Sequence, residues 1–287
     1  MISHFGNEVL IEDTQGQRLR AIPRQNLPGL VTGDRICFEH APTGLAIINA
    51  VAERHGTLTR SVKNNQAKVI ATNIDQVAII CAAKPILKTG LIDRYLVACE
   101  LADLKTLIVF NKLDLLDEDK LRTTKATLAV YEKIGYPVYY VSAASHTHLT
   151  QLGEAFAGRT SILVGHSGVG KSSLINALIP DAQPRIGEIS GASSKGQHTT
   201  THSELYTLPG GGHIIDSPGI REFGLTPVDA LTLATGFSEF RPYLGQCKFR
   251  DCTHHSEPGC AVVQAMHEGH IDPARLQSYH AILASFA

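Results

Sequence analysis

The stretch TSILVGHSGVGKSSLINAL, residues 160–178, reads as a short apolar strand, a glycine-rich loop and the first turns of a helix. The loop Gly165-His166-Ser167-Gly168-Val169-Gly170-Lys171-Ser172, with Ser173 continuing the helix, has the spacing G-x-x-x-x-G-K-[ST]. Its glycines allow backbone N–H groups to wrap phosphate oxygens, and the helix N-terminus adds favourable partial charge. Lys171 is expected to reach the β- and γ-phosphates, and Ser172 to ligate Mg²⁺.

Outward from this loop, VAIICAA, KTLIVF, PVYYVSA and HIID are nearly continuous apolar runs without alternation, as expected of strands covered on both faces. Helix-sized segments over 92–103, 118–134 and 171–178 lie between them, which predicts an α/β domain with a mainly parallel sheet. Other chemistry sits at the ends of these runs. Asn111-Lys112-Leu113-Asp114 follows KTLIVF. An aspartate there can accept hydrogen bonds from the ring N–H and the exocyclic amine of guanine, whereas adenine offers the wrong pattern. Asn111 is expected to brace the pocket and the Lys112 stem to cover the base. Ser142-Ala143 suits a backbone contact to the guanine oxygen. Asp216, in Asp216-Ser-Pro-Gly219, suits Mg²⁺ through water, and the Gly219 amide suits a γ-phosphate.

Residues 186–204 are rich in Gly, Ser, Thr and His and occupy the place of a switch loop. Thr199, Thr200 and Thr201 are candidates for a second hydroxyl on Mg²⁺, with Thr200 favoured. The residue after DSPG is Ile220, whose side chain has no hydrogen-bonding group to orient an attacking water. His198 is the candidate for that task, with slow turnover accelerated when a partner orders the loop.

The guanine motif precedes the phosphate loop, the reverse of the usual order. That is a circular permutation, tolerable because domain termini lie at the surface and close together. It leads IREFGL, directly after DSPG, into the C-terminal region, so a nucleotide-driven shift is expected to reach that region.

On either side the texture changes. Residues 1–68 hold EVLIED, QRLRAI, DRICFEH and GLAIINAVAE between turn signals, predicting a small closed or partly open β-barrel ahead of the nucleotide domain at 69–227. Residues 228–287 form a small third domain. There Cys247-x4-Cys252-x-His254-x5-Cys260 offers a full soft-ligand set for one closed, structural Zn²⁺ site, with His255 an alternative fourth ligand. Cys37, Cys81 and Cys99 read as inert buried thiols. The formal charge of −1 gives no argument for a nucleic-acid partner, and the +2 of residues 1–68 adds little. No apolar stretch is long enough to cross a bilayer and no leader is evident, so a cytoplasmic, non-membrane protein is expected. A monomer is the simplest expectation.

The permuted motifs, together with GTLTR, ATNIDQV, KGQHTTTH, DSPGIREFGL and FRPYLGQCKFRDCTHHSEPGC, resemble the RsgA (YjeQ) family of bacterial ribosome-associated GTPases across nearly the whole chain. The resemblance implies an N-terminal OB-fold, a circularly permuted GTPase domain and a C-terminal helical zinc domain. It implies GTP as substrate, Mg²⁺ and Zn²⁺ as cofactors, and hydrolysis stimulated by the small (30S) ribosomal subunit during its late maturation, with contacts to 16S rRNA. It points to Lys171 and Ser172 for phosphate and Mg²⁺, Thr200 for the switch and His198 for the water. Asn111 and Asp114 are implied for guanine, and Cys247, Cys252, His254 and Cys260 for zinc. Members often begin with a basic extension, whereas this chain enters its first strand almost at once. His166 stands where the family often has Gln or Asn. An ATPase and a nucleic-acid-binding module with a vestigial nucleotide domain are the competing readings; NKLD opposes the first, and intact Lys171, Ser172 and Asp216, with candidate Thr200, oppose the second.

Overall fold

A computed structural model of the chain describes residues 1–5, 8–42, 44–62, 66–179, 203–216 and 225–286. His198, Thr199, Thr200, Thr201, Gly219, Ile220 and the rest of IREFGL up to residue 224 lie outside the described residues.

Five strands, β1 (Ser3–Phe5), β2 (Glu8–Glu12), β3 (Arg18–Pro23), β4 (Ile36–His40) and β5 (Ala46–Val51), form one sheet in the order β1-β2-β3-β5-β4. All pairs are antiparallel except β3 with β5. That parallel pair within a five-stranded, partly open sheet is the OB-fold arrangement. Alternation of inward and outward side chains gives it a core of its own, with Val9, Ile11, Ala21 and Ile48 buried. Cys37 departs from the expectation of a buried thiol: β4 ends the sheet, its register slips between Cys37 and Phe38, and Cys37 is exposed.

A hairpin of β6 (Leu58–Val62) and β7 (Gln66–Ala71) follows, so the change of texture near Val69 falls inside a strand. Leu58 and Ala71, at its base, are buried in the central core.

The central sheet contains β8 (Gln76–Ala82), β9 (Lys105–Asn111), β10 (Val138–Tyr140), β11 (Thr160–Val164), β12 (Glu204–Thr207) and β13 (His213–Asp216) in the order β10-β9-β8-β11-β13-β12. Every neighbouring pair is parallel except β12 with β13. Every residue of β8 is buried, as the unbroken apolar run requires. Helices α1 (Thr89–Leu101), α2 (Glu118–Ile134), α3 (Leu149–Phe156) and α4 (Lys171–Leu178) cover the sheet in two apolar layers. Helix α2 starts where the Asp117 carboxylate accepts from the Lys120 amide and stops at Gly135, whose φ of 109° is left-handed.

The edge strand β12 is covered by the N-terminal sheet: the Leu205 amide donates to the Ile2 carbonyl at 3.2 Å, and Thr207 Oγ1 donates to Glu12 Oε1 at 3.0 Å. The C-terminal region comprises α5 (Ala230–Thr235), a 3-10 segment (Ser238–Tyr243), α6 (Ala261–His267) and α7 (Pro273–Ala284) around Phe237, Phe240 and Tyr279. Val97 of α1 belongs to that same apolar cluster, so α1 presents one face to the sheet and another to the C-terminal helices. No helix among the described residues is long and apolar enough to cross a membrane.

Candidate nucleotide site and metal centre

The parallel strands β8, β9, β11 and β13 share one direction, and their carboxyl ends form one rim. The chain winds outward from β8 through β9 to β10, then returns to place β11 on the other side of β8. The rim between β8 and β11 is therefore the topological switch point, where open α/β sheets leave a crevice for ligands. The glycine-rich loop leaves β11 there, NKLD ends β9, Ser142-Ala143 follows β10, and Asp216 ends β13.

The loop can adopt its path only with glycine at two places. A Cβ at Gly165 would meet the Ile80 carbonyl oxygen at 2.2 Å, and one at Gly170 would meet Asn111 Nδ2 at 2.4 Å. Both have positive φ, 142° and 97°. Val169 is buried in the core beneath the loop, whereas His166, Ser167 and Gly168 are exposed, as are Ser172 and Ser173 at the start of α4. His166 Nδ1 lies 2.8 Å from the Ser167 carbonyl. Lys171 Nζ donates to the Gly165 carbonyl at 2.8 Å and to the His166 carbonyl at 3.2 Å, spanning the loop.

The guanine motif and the phosphate loop are tied together. Asn111, 1% exposed, donates from Nδ2 to the Val169 carbonyl at 3.0 Å and accepts at Oδ1 from the Ala143 amide at 3.1 Å. One side chain thus joins the ends of three strands. Lys112, with φ of 66°, donates from Nζ to the Gly168 carbonyl at 2.5 Å and to the Lys84 carbonyl at 2.8 Å, so its stem runs along the loop. Asp114 is exposed, and one of its carboxylate oxygens accepts a short hydrogen bond from Ser142 Oγ. Ser142 was expected to offer a backbone contact only; its hydroxyl also orients the aspartate, a pairing that residues in separate loops conceal. Asp216, 2% exposed, lies opposite Leu163 on β11 and so sits at the root of the phosphate loop.

The second constellation lies in the C-terminal region. Cys247, Cys252, His254 and Cys260 each bring one ligand atom within 4.8 Å of the others. His254 Nδ1 is 3.6 Å from Cys247 Sγ and 3.4 Å from Cys260 Sγ, and the two sulfurs are 3.9 Å apart. Tetrahedral zinc with ordinary Zn–S and Zn–N bonds demands separations of about 3.6 and about 3.8 Å, so these residues fit the ion. Burial pushes the Cys252 thiol up to about 12 and holds the His254 imidazole below its ordinary value. The neutral ring suits a ligand; the thiols become thiolates when metal replaces their protons. His255 turns away, exposed, with its ring 4.6 Å from that of His280. Cys81 and Cys99, by contrast, are buried singly, and burial raises both to about 12.

A buried ion cluster that the sequence did not single out joins α1 to the C-terminal helices. Arg275 of α7, 1% exposed, donates from Nη1 to Asp93 Oδ1 at 2.5 Å and from Nε to Glu239 Oε1 at 2.6 Å. Tyr131 of α2 also donates to Asp93 Oδ1, at 2.8 Å. Nearby, Arg241 pairs with Glu100 at 2.6 Å.

The family model for the RsgA GTPase matches residues 51–226. The small ribosomal subunit biogenesis GTPase RsgA of Pseudomonas aeruginosa is 46% identical over 285 residues, covering 99% of this chain and 84% of its own length. That of Pseudomonas putida is also 46% identical, covering 100% of this chain and 85% of its own. Among solved structures, YjeQ from Thermotoga maritima superposes with a TM-score of 0.81 at 32% identity, covering 99% of this chain and 96% of its own. YloQ, a circularly permuted GTPase, gives 0.77 at 28% identity, covering 99% and 93%. With its permuted motifs gathered on one rim and a Cys3His cluster beyond them, the chain belongs to the RsgA (YjeQ) family of GTPases.

Proposed function

We propose that this GTPase acts on the small ribosomal subunit, hydrolysing GTP to GDP and phosphate in step with the subunit's late maturation and faster in its presence. The observation that carries the nucleotide assignment is the Asn111 bridge between the phosphate loop and the Ser142-Ala143 turn. It holds a phosphate cradle and a guanine-reading aspartate in fixed relation.

In this reading Asp114, oriented by Ser142, accepts from the base, while Lys112 covers it and Ala143 faces its oxygen. The amides of 165–170 with Lys171 hold the phosphates, and Ser172, Thr200 and, through water, Asp216 hold Mg²⁺. Gly219 meets the γ-phosphate. Bound Mg²⁺ supplies neutralising charge to the phosphates. His198 positions the water, an assignment resting on its place in the sequence and on Ile220, which cannot do so. Cys247, Cys252, His254 and Cys260 hold one structural zinc. Residues 1–68, 69–227 and 228–287 divide the labour; the apolar cluster confined to residues 1–51 and the one centred on Phe237, Phe240 and Tyr279, which reaches across to Val97 of α1, support that division. The OB-fold and zinc domains supply contacts to 16S rRNA.

Phosphate release by wild type and His198→Ala, each with and without purified small subunits, tests the mechanism. The wild type should be stimulated and the variant should not. Equal stimulation of both would remove His198 from the water-positioning role while leaving the partner in place. ATP competing as well as GTP for binding would defeat the guanine assignment.

A further inference from the structure

The four residues between the first two cysteines of the metal cluster, Lys248-Phe249-Arg250-Asp251, are all exposed. Phe249 keeps 43% of its surface in solvent and is the sole aromatic among the large exposed hydrophobic side chains described. Single exposed apolar residues are common and signify little by themselves. This one differs in its setting. Lys248 Nζ lies over its ring, 5.6 Å from the centroid, and Arg250 follows it directly. Among the described residues neither cation has a carboxylate partner within ion-pair distance, although the same domain carries a net −2.

The loop is also held stiffly. Cys247 and Cys252 anchor its two ends at the metal cluster, and the Lys248 amide donates to the Gly259 carbonyl at 3.0 Å. A Cβ at Gly259 would lie 3.0 Å from Lys248 Cβ, so the chain at Lys248 packs closely against the chain at Gly259. An aromatic face presented on a preordered loop between two unpaired cations matches what a single-stranded nucleic acid requires: a surface for a base to stack on and charges for the flanking phosphates. A folded protein partner would more often cover the ring with further apolar surface, and no other large exposed hydrophobic residue lies in this loop.

We infer that Phe249, flanked by Lys248 and Arg250, is a base-stacking contact for unpaired RNA. This rests on the proposed ribosomal function and specifies one of its RNA contacts. The test uses the full, zinc-loaded chain and measures affinity for purified small subunits, for a mixed-sequence single-stranded RNA oligonucleotide and for the corresponding duplex. Phe249→Ala should weaken subunit and single-strand binding by about 5- to 150-fold and leave the duplex unaffected, whereas Phe249→Trp should retain binding. Lys248→Ala/Arg250→Ala should flatten the dependence of log affinity on log salt for the single strand by about 1.4. Zinc content and basal GTP hydrolysis should match wild type in all three variants, which separates lost contact from lost folding. The inference is overturned if Phe249→Ala binds the single strand as wild type does, including the case in which only subunit binding falls, since that would mark a protein contact. If subunits fail to stimulate the wild type, the underlying ribosomal reading fails; if they do and Phe249→Ala binds normally, only the stacking contact fails.

Discussion

Replacing Arg275 with Met should release the C-terminal helices from the nucleotide domain. The guanidinium is 1% exposed, and its partners Asp93 and Glu239 have side chains only 3% and 9% exposed. Burial opposes its charge, but the hydrogen bonds from Glu239 and the field of Asp93 outweigh that and hold its pKa above the ordinary value. The ring faces of Phe237 and Tyr131, 4.6 and 5.7 Å away, enclose it further. Methionine fills part of the stem's volume but leaves two carboxylates buried without a cation. Breaking a buried pair in this way costs about 3–5 kcal/mol. Removing the charges together is far milder, so Arg275→Met/Asp93→Asn/Glu239→Gln should recover at least half of the loss. Urea unfolding with zinc in excess, followed by far-ultraviolet dichroism and tyrosine fluorescence, reads this out; the chain has no tryptophan. Since several domains can unfold separately, the comparison belongs to the transition that includes α7. A cost below about 1 kcal/mol for Arg275→Met, or a triple variant no better than the single one, would refute the argument that these charges are desolvated and mutually dependent.

Gly170→Ala should place a methyl group against Asn111 Nδ2 at a left-handed φ, costing about 1–2 kcal/mol of backbone strain and severing the Asn111 bridge. Nucleotide affinity measured by calorimetry should fall at least tenfold (about 1.4 kcal/mol), whereas Gly158→Ala, also at positive φ but with open space around it, should lower stability and leave affinity unchanged. Removing zinc with a chelator under reducing conditions should unfold the region around α6 and α7, seen as new proteolytic cuts there, while the central sheet stays protected; an unchanged digestion pattern would oppose a structural zinc. Burial holds the His213 imidazole below its ordinary 6.5, so the unfolded chain binds more protons near and below that pH. Its contribution to stability is full above about pH 6.5 and is lost as pH falls through the lower folded value. The Tm of wild type should therefore drop more between about pH 7.5 and about pH 5 than that of His213→Gln, and parallel curves would contradict this.

Much of the candidate site's placement on one rim was legible because its information is local. Phosphate-loop glycines, the apolar runs ahead of them and the polar residues at strand ends are each contiguous in sequence, and a parallel sheet brings its strand ends to one rim whatever the order of the chain. The choice between His254 and His255 was not legible from spacing, since adjacent residues offer the same reach; the left-handed φ of 61° at His254 accompanies a turn that separates the two rings. Cys37 misled because its neighbours are apolar, yet it lies on the outward face of an edge strand. The Arg275 cluster left no local trace at all. Its partner Asp93 is 182 residues away, and each charge alone looks like an ordinary solvated helix residue.

The measurement that bears most directly on the whole account is phosphate release from GTP by the zinc-loaded chain, with ATP in parallel, before and after adding purified small ribosomal subunits. Slow GTP turnover that rises with subunit concentration, with ATP inert throughout, is the predicted result. GTP turnover that subunits leave unchanged, or ATP turned over as readily as GTP, would contradict it.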